Sequence, residues 1–202
     1  MRKIIVSNIM SLDGYFEGPG KNVMVLPMDG AFDAQNLECM KNADIILLGE
    51  NSYKFFAAFW PMMADNPDAS PTNREFAQRY NEIQKIVISD NLTPADFPKA
   101  WEKTTRVIAR ADAYDELAKL KQQDGKDITM YASRLLWNDL MAHGLIDELH
   151  FVIGNVFLGD GTPIFTQPIA YDDPKVALQL EKVSKVDASN NILALYKVVY
   201  KD

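Results

Sequence analysis

Residues 128–144 form a unit whose two ends are chemically specified, and that unit narrows the architectures open to the chain. Residues 128–131 are a short apolar run, Ala132 and Ser133 follow, and a helical pattern over residues 134–143 reaches Gly144. Ser133 is a residue type that accepts hydrogen bonds from the free amides of a first helical turn. Gly144 readily takes the left-handed conformation that closes a helix. A strand that passes directly into a helix, with a further strand at residues 148–157, is the grammar of an α/β domain.

The rest of the chain repeats that grammar. Residues 3–10 are apolar and β-branched and read as a buried strand, ended by the turn Ser11-Leu12-Asp13-Gly14. Asp29 or Asp33 caps a helix that runs to about Asn42, with Phe32, Leu37 and Met40 inward. Residues 45–48 are a second strand stopped by Gly49, and residues 50–59 an aromatic-rich helix ended by Trp60-Pro61. Residues 62–72 have the composition of a surface loop or lid. Strands follow at 85–89 and 105–109, and Asp112 caps a helix over 113–123. After the turn at 158–161, strands at 176–186 and 192–200 flank a hairpin connection at 187–191. The expected result is one domain over residues 1–202 with a mixed, mostly parallel sheet and a C-terminal antiparallel hairpin.

Composition excludes several classes. The 202 residues carry 28 acidic and 21 basic side chains, a net charge of −7, which opposes binding to nucleic acid. Cys39 is the only cysteine, and His143 and His150 are the only histidines, so neither a disulfide nor a cysteine- or histidine-rich metal centre is expected. No run approaches the roughly 20 apolar residues that span a bilayer. The expectation is a soluble cytoplasmic protein whose partner is a small molecule.

Ligands of open α/β sheets bind beyond the carboxyl ends of the strands, where loops meet helix N-termini. Three segments qualify by position: 8–14, 49–53 and 132–136. Two of them open a helix whose amides and positive dipole end favour a phosphate.

Ser11-Leu12-Asp13-Gly14-Tyr15, then Leu47-Leu48-Gly49-Glu50-Asn51-Ser52-Tyr53, then Phe59-Trp60-Pro61, and finally Gly144-Leu145-Ile146-Asp147-Glu148-Leu149 leading to Leu158-Gly159-Asp160-Gly161 occur in one order. That ordered set resembles the dihydrofolate-reductase-like superfamily, and within it the C-terminal reductase domain of the bifunctional riboflavin-biosynthesis deaminase/reductase. The resemblance runs from about Lys3 to Phe165. It implies a three-layer α/β/α fold, a homodimer, and hydride transfer from NADP(H) or NAD(H) to a carbonyl or imine carbon of a pterin-like or pyrimidine-like substrate.

The resemblance also implies residue roles. The nicotinamide lies near Asn8, Ile9 and Ser11. The pyrophosphate is shared by the helices opening at Asn51-Ser52-Tyr53 and at Arg134-Leu135, with Gly14, Gly49, Glu50, Ser89, Ala132 and Ser133 completing the cofactor site. Asp13, Asp29 and Asp33 are the candidate proton donors or substrate anchors, a task that requires a raised pKa.

The chain departs from the family where cations meet the 2′-phosphate of NADPH. Those positions read Gly49-Glu50 and Ser89-Asp90, and each carboxylate costs on the order of 1–4 kcal/mol at about 4 Å from a phosphate. Unless Lys54, Arg106 or Arg110 compensates, NADH is favoured. A glycine pair of the family is Ala132-Ser133 here, which leaves less room for backbone beside a pyrophosphate. The alternative is therefore a dimeric binding or scaffold protein that keeps the fold without the dinucleotide. The His and Cys ligands of a zinc-dependent deaminase are lacking, which still allows a stand-alone reductase. Phe55, Phe56, Phe59 and Trp60 read as core and dimer packing, Asp13 also as a turn residue, His143 as a partner of its helix dipole, His150 as half-buried or at an interface, and Cys39 as a small buried hydrophobe.

Overall fold

The computed structural model describes residues 1–166, 175–185 and 188–201. The expected end of one strand at Val186 and the start of its hairpin connection at Asp187 lie outside the described residues.

β1 (Ile4–Ser11) is buried along almost its whole length, so apolar residues are needed on both faces and a helix must cover each. Around it an eight-stranded sheet runs β5 (Thr105–Ile108), β4 (Gln84–Ile88), β3 (Ala43–Gly49), β6 (Asp127–Tyr131), β1, β7 (Glu148–Gly154), β10 (Ile192–Tyr200), β9 (Val176–Lys185). Every pair from β5 to β7 is parallel, and β7–β10 and β10–β9 are antiparallel. This is the expected mixed sheet with its terminal hairpin. A small ribbon, β2 (Tyr15–Glu17) with β8 (Thr162–Pro163), stands apart.

Helices cover the two faces. On one face, α5 (Ala113–Lys121) and α6 (Arg134–Ala142) contribute Leu117, Trp137 and Leu140 to a core with Ile4, Val6 and Met130. On the other, α1 (Gly30–Asn42), α2 (Glu50–Ala57) and α4 (Pro71–Glu82) bury Leu37, Met40, Tyr53, Phe76 and Tyr80 against Ile46, Leu48 and Val87. The connections leaving the adjacent strands β3 and β6 thus pass to opposite faces, α2 to one and α6 to the other. A crevice at the strand ends is the geometric consequence.

Several local expectations are corrected. Trp60-Pro61 begins a short helix, α3 (Trp60–Met63), because proline suits a first turn whose amide has no acceptor. The expected loop leads into α4, absent from the sequence reading. Ser70 caps α4 by accepting from the Asn73 amide at 3.1 Å, and Pro71 stands in its first turn. Asp112 precedes α5 but makes no side-chain cap. Asp29, rather than Asp33, caps α1. β7 ends at Gly154, short of Phe157. Gly144 has the expected left-handed φ of +73°.

Candidate active site

The crevice between β3 and β6 is closed by two serines. Ser133 Oγ accepts from the Gly49 amide at 3.2 Å, and the Ser133 amide donates to Ser52 Oγ at 2.9 Å. The expected N-cap role of Ser133 is therefore corrected: its hydroxyl reaches across to α2 and makes no cap bond to its own helix. Asn8 Nδ2 donates to the Ala132 carbonyl at 3.1 Å, fastening β1 to the same junction.

Ala132 and Ser133 both hold left-handed backbone, with φ of 49° and 46°. That conformation costs a residue with a Cβ about 1–2 kcal/mol. Both residues thus hold a backbone that glycine adopts without that cost. Such strain persists only where neighbouring structure imposes it, and it concentrates at ligand sites.

Of the other expected cofactor residues, Ile9 and Tyr53 place their side chains in the core. Ile9 packs with Leu26 and Val152, while Tyr53 is fully buried, with its hydroxyl 3.1 Å from Thr105 Oγ1 and its ring edge-on to Trp101. Asn51 and Leu135 are exposed at the openings of α2 and α6, and Arg134 Nη1 donates to Thr166 Oγ1 at 3.0 Å. Ser11 is fully buried, donating to Asp13 Oδ1 at 2.6 Å and accepting from the Tyr15 amide at 2.8 Å. Gly14 completes this turn at φ +84°, a value that excludes most side chains.

The three acids part company. Asp13 accepts from Ser11 and from the Leu158 and Gly159 amides, the latter at 2.7 Å, and these bonds hold its carboxyl down at about 2. The raised pKa required of a proton donor is corrected for Asp13, which clasps the 158–159 turn as a carboxylate. Asp29 is likewise engaged: burial opposes its charge, but bonds from Ser189 at 2.6 Å and from the first α1 amides keep it below the usual range. Asp33, one turn further along α1, is half-buried. Burial pushes its pKa up, against the contact from Asn73 of α4. It alone of the three has its pKa pushed up.

At the outer rim, Ser89 Oγ donates to Glu50 Oε2 at 2.6 Å and Lys54 Nζ donates to Glu50 Oε1 at 2.7 Å, holding the carboxyl below its usual range. Asp90 Oδ1 accepts from the Arg110 amide at 2.9 Å. The three cations that might have met a 2′-phosphate are all engaged: Lys54 with Glu50, Arg106 with Glu116, and Arg110 with Asp90.

Two contributors escaped the sequence reading. Asn36 Oδ1 accepts from Ser7 Oγ at 2.9 Å, and its carbonyl accepts from the Tyr131 hydroxyl at 2.8 Å, tying α1 to β1 and β6. Asn73 was missed with α4 as a whole, although Ser70-Pro71 is an adequate start signal. Leu12 and Phe157, on the loops after β1 and β7, and Leu135, in the first turn of α6, are exposed apolar residues and suit a flat, partly apolar ligand.

The sequence model of the RibD C-terminal domain matches residues 2–192. The uncharacterized protein YyaP of Bacillus subtilis is 27% identical over 194 residues, covering 96% of this chain and 93% of that protein. A deaminase/5-amino-6-(5-phosphoribosylamino)uracil reductase of Thermotoga maritima superposes with a TM-score of 0.65 at 11% identity, over 97% of this chain and 56% of that one. Dihydrofolate reductase of Enterococcus faecalis, complexed with NADP(H), superposes with a TM-score of 0.55 at 14% identity, over 97% and 96% of the two chains. The fold is thus that of dihydrofolate reductase, and the chain belongs to the RibD C-terminal domain family.

Proposed function

We propose that the chain is a single-domain, nicotinamide-dependent reductase of a pterin-like or pyrimidine-like small molecule, of the 5-amino-6-(5-phosphoribosylamino)uracil reductase type, with NADH preferred to NADPH. The observation that carries this reading is the retained left-handed pair at Ala132 and Ser133, which sets the backbone opening α6 beside the opening of α2. Those two helix openings supply amides for a diphosphate. Glu50 and Asp90 at the rim suit ribose hydroxyls, which donate to carboxylates, and repel a 2′-phosphate.

When bound, the cofactor supplies the hydride; the protein supplies position and a proton. Asp33 is the proposed donor, since burial disfavours its anion and raises its pKa, and Asn73 orients the group. Asp13 fixes the turn at Leu158 and Gly159 that walls the site, and the apolar side chains of Leu12 and Phe157 shed water from a bound ring. Absorbance of NADH, followed with a panel of pterins, pyrimidines and simple carbonyls, tests the reading: saturable oxidation with one of them supports it.

A second reading is favoured by one observation. The Gly49 and Ser133 amides, which face the crevice, are already satisfied by Ser133 Oγ and Ser52 Oγ. A protein that keeps the fold and binds a small molecule without dinucleotide fits that closure. A homodimer in the cytoplasm suits either reading. Leu178, Leu180 and Val183 on the edge strand β9 are 47%, 52% and 61% exposed, a surface that a second copy would cover. Light scattering after size exclusion separates dimer from monomer.

A further inference from the structure

Away from the crevice, α1 and β7 bring a thiol, an imidazole and a carboxylate into line. Cys39 Sγ lies 3.5 Å from His150 Nδ1, and His150 Nε2 lies 2.9 Å from Glu148 Oε2. Gln35, one turn before Cys39 on α1, places its Nε2 3.2 Å from the sulfur and 3.1 Å from His150 Nδ1. Cys39 and His150 are buried, at 6% and 9% exposure, whereas the Glu148 side chain reaches the surface, where Lys3 Nζ donates to Oε1 at 2.6 Å. Nothing in the proposed reduction uses these groups.

We infer that Cys39 is a reactive thiol served by His150 and Glu148, a modification site for hydrogen peroxide and small electrophiles. A buried histidine and a carboxylate are more than packing requires of a small apolar side chain. With its Nε2–H donated to Glu148, the ring leaves Nδ1 as an acceptor shared between Gln35 Nε2 at 3.1 Å and the sulfur at 3.5 Å, the tautomer that takes a thiol proton. The thiolate, not the thiol, is the nucleophile.

The step balances. His150 Nδ1 takes the Cys39 proton, and the sulfur attacks one peroxide oxygen. The O–O bond breaks, and the departing hydroxide takes the proton from His150 and leaves as water. Sulfur is oxidised to the sulfenic acid and peroxide is reduced. With iodoacetamide, the sulfur displaces iodide and the thiol proton is released to solvent.

The charged surroundings favour a cationic ring. Burial opposes its charge, but bonds to Cys39 and Glu148 push His150 up to about 9, and Glu148 is held at about 2. Lys3 of β1 binds Glu148. Lys197 of β10 stands opposite Glu148, and Lys182 of β9 stands opposite Leu195, itself the partner of His150. Glu38 of α1 is exposed. Tyr131 of β6 stays neutral, its hydroxyl donated to Asn36. Cys39 reacts, His150 touches the reacting atom, and Glu148 is a positioning residue.

Because Cys39 is the sole cysteine, intact mass after iodoacetamide reads this one thiol in the full chain. An unassisted thiol slows by more than about 100-fold between pH 9 and pH 6. The folded protein is expected to slow less than about tenfold, His150→Gln to slow like an unassisted thiol, Glu148→Gln to fall between, and Glu148→Asp to regain most of the wild-type ratio. Dimedone trapping after peroxide should follow the same order. Should His150→Gln fail to fold, the wild-type ratio set against the guanidinium-unfolded chain decides alone. A folded protein that never reacts, or that slows as much as its unfolded chain, overturns the inference and leaves Cys39 as packing.

Discussion

Ser89 donates its hydroxyl hydrogen to Glu50 across the ends of β4 and β3 at 2.6 Å, so the rim of the crevice presents a carboxylate held in place by two donors, Ser89 and Lys54. An anion fixed there selects against a further phosphate. Glu50→Arg is expected to improve NADPH affinity by about tenfold or more relative to NADH, because the reversal replaces repulsion of a phosphate by attraction. Fluorescence titration of both nucleotides against both proteins checks the sign. Unchanged preference places the ribose elsewhere.

Burial pushes the Asp33 pKa up from its ordinary value, which makes it the proposed proton donor. A proton donor works only while protonated, so wild-type kcat falls as pH rises through the Asp33 titration. Asp33→Asn is expected to lose about 100-fold or more in kcat and to abolish that limb of the profile. Retained turnover with an unchanged profile assigns the proton to water or another group.

Ala132 reverses an ordinary rule. Ala→Gly usually destabilises, but at φ 49° the methyl group is strained, so Ala132→Gly is expected to stabilise the fold by about 1 kcal/mol. Urea midpoints measure it. A loss of stability would mean that the left-handed backbone is not imposed on this residue.

Asp13 is a clasp. Its carboxylate is stabilised by Ser11 and by two backbone amides, so its contribution is present above the unfolded pKa near 4 and is lost as pH falls through about 2. Asp13→Ala should speed hydrogen exchange at the Leu158 and Gly159 amides and raise KM more than it lowers kcat. Unaltered exchange together with a collapse of kcat would return Asp13 to the chemistry.

The fold was legible where pattern and chemistry agreed. The buried residues of β1, Gly49 ending β3, and Gly144 ending α6 each follow from local apolar runs and backbone preference. α4 is masked in the sequence by the loop-like composition that precedes it, although Phe76, Ala77 and Tyr80 after Ser70-Pro71 carry a helical apolar spacing. At the site, sequence order placed Glu50, Ser89 and Ser133 at one mouth, but not what they do. Hydrogen bonds between residues more than 35 positions apart decide that, as when Ser133 Oγ turns to Gly49 instead of capping α6. Asp13 and Asp29 resemble Asp33 in sequence; at Asp33 burial outweighs the single contact from Asn73, and only packing reveals it.

Calorimetric titration of NADH into the full chain addresses the crevice most directly. The expected result is saturable, near-stoichiometric binding below millimolar concentration, weakened by Ser133→Phe, which would fill the space beside Gly49. No heat from either NADH or NADPH up to millimolar concentration would contradict the reductase reading and leave the closed crevice as a site for something other than a dinucleotide.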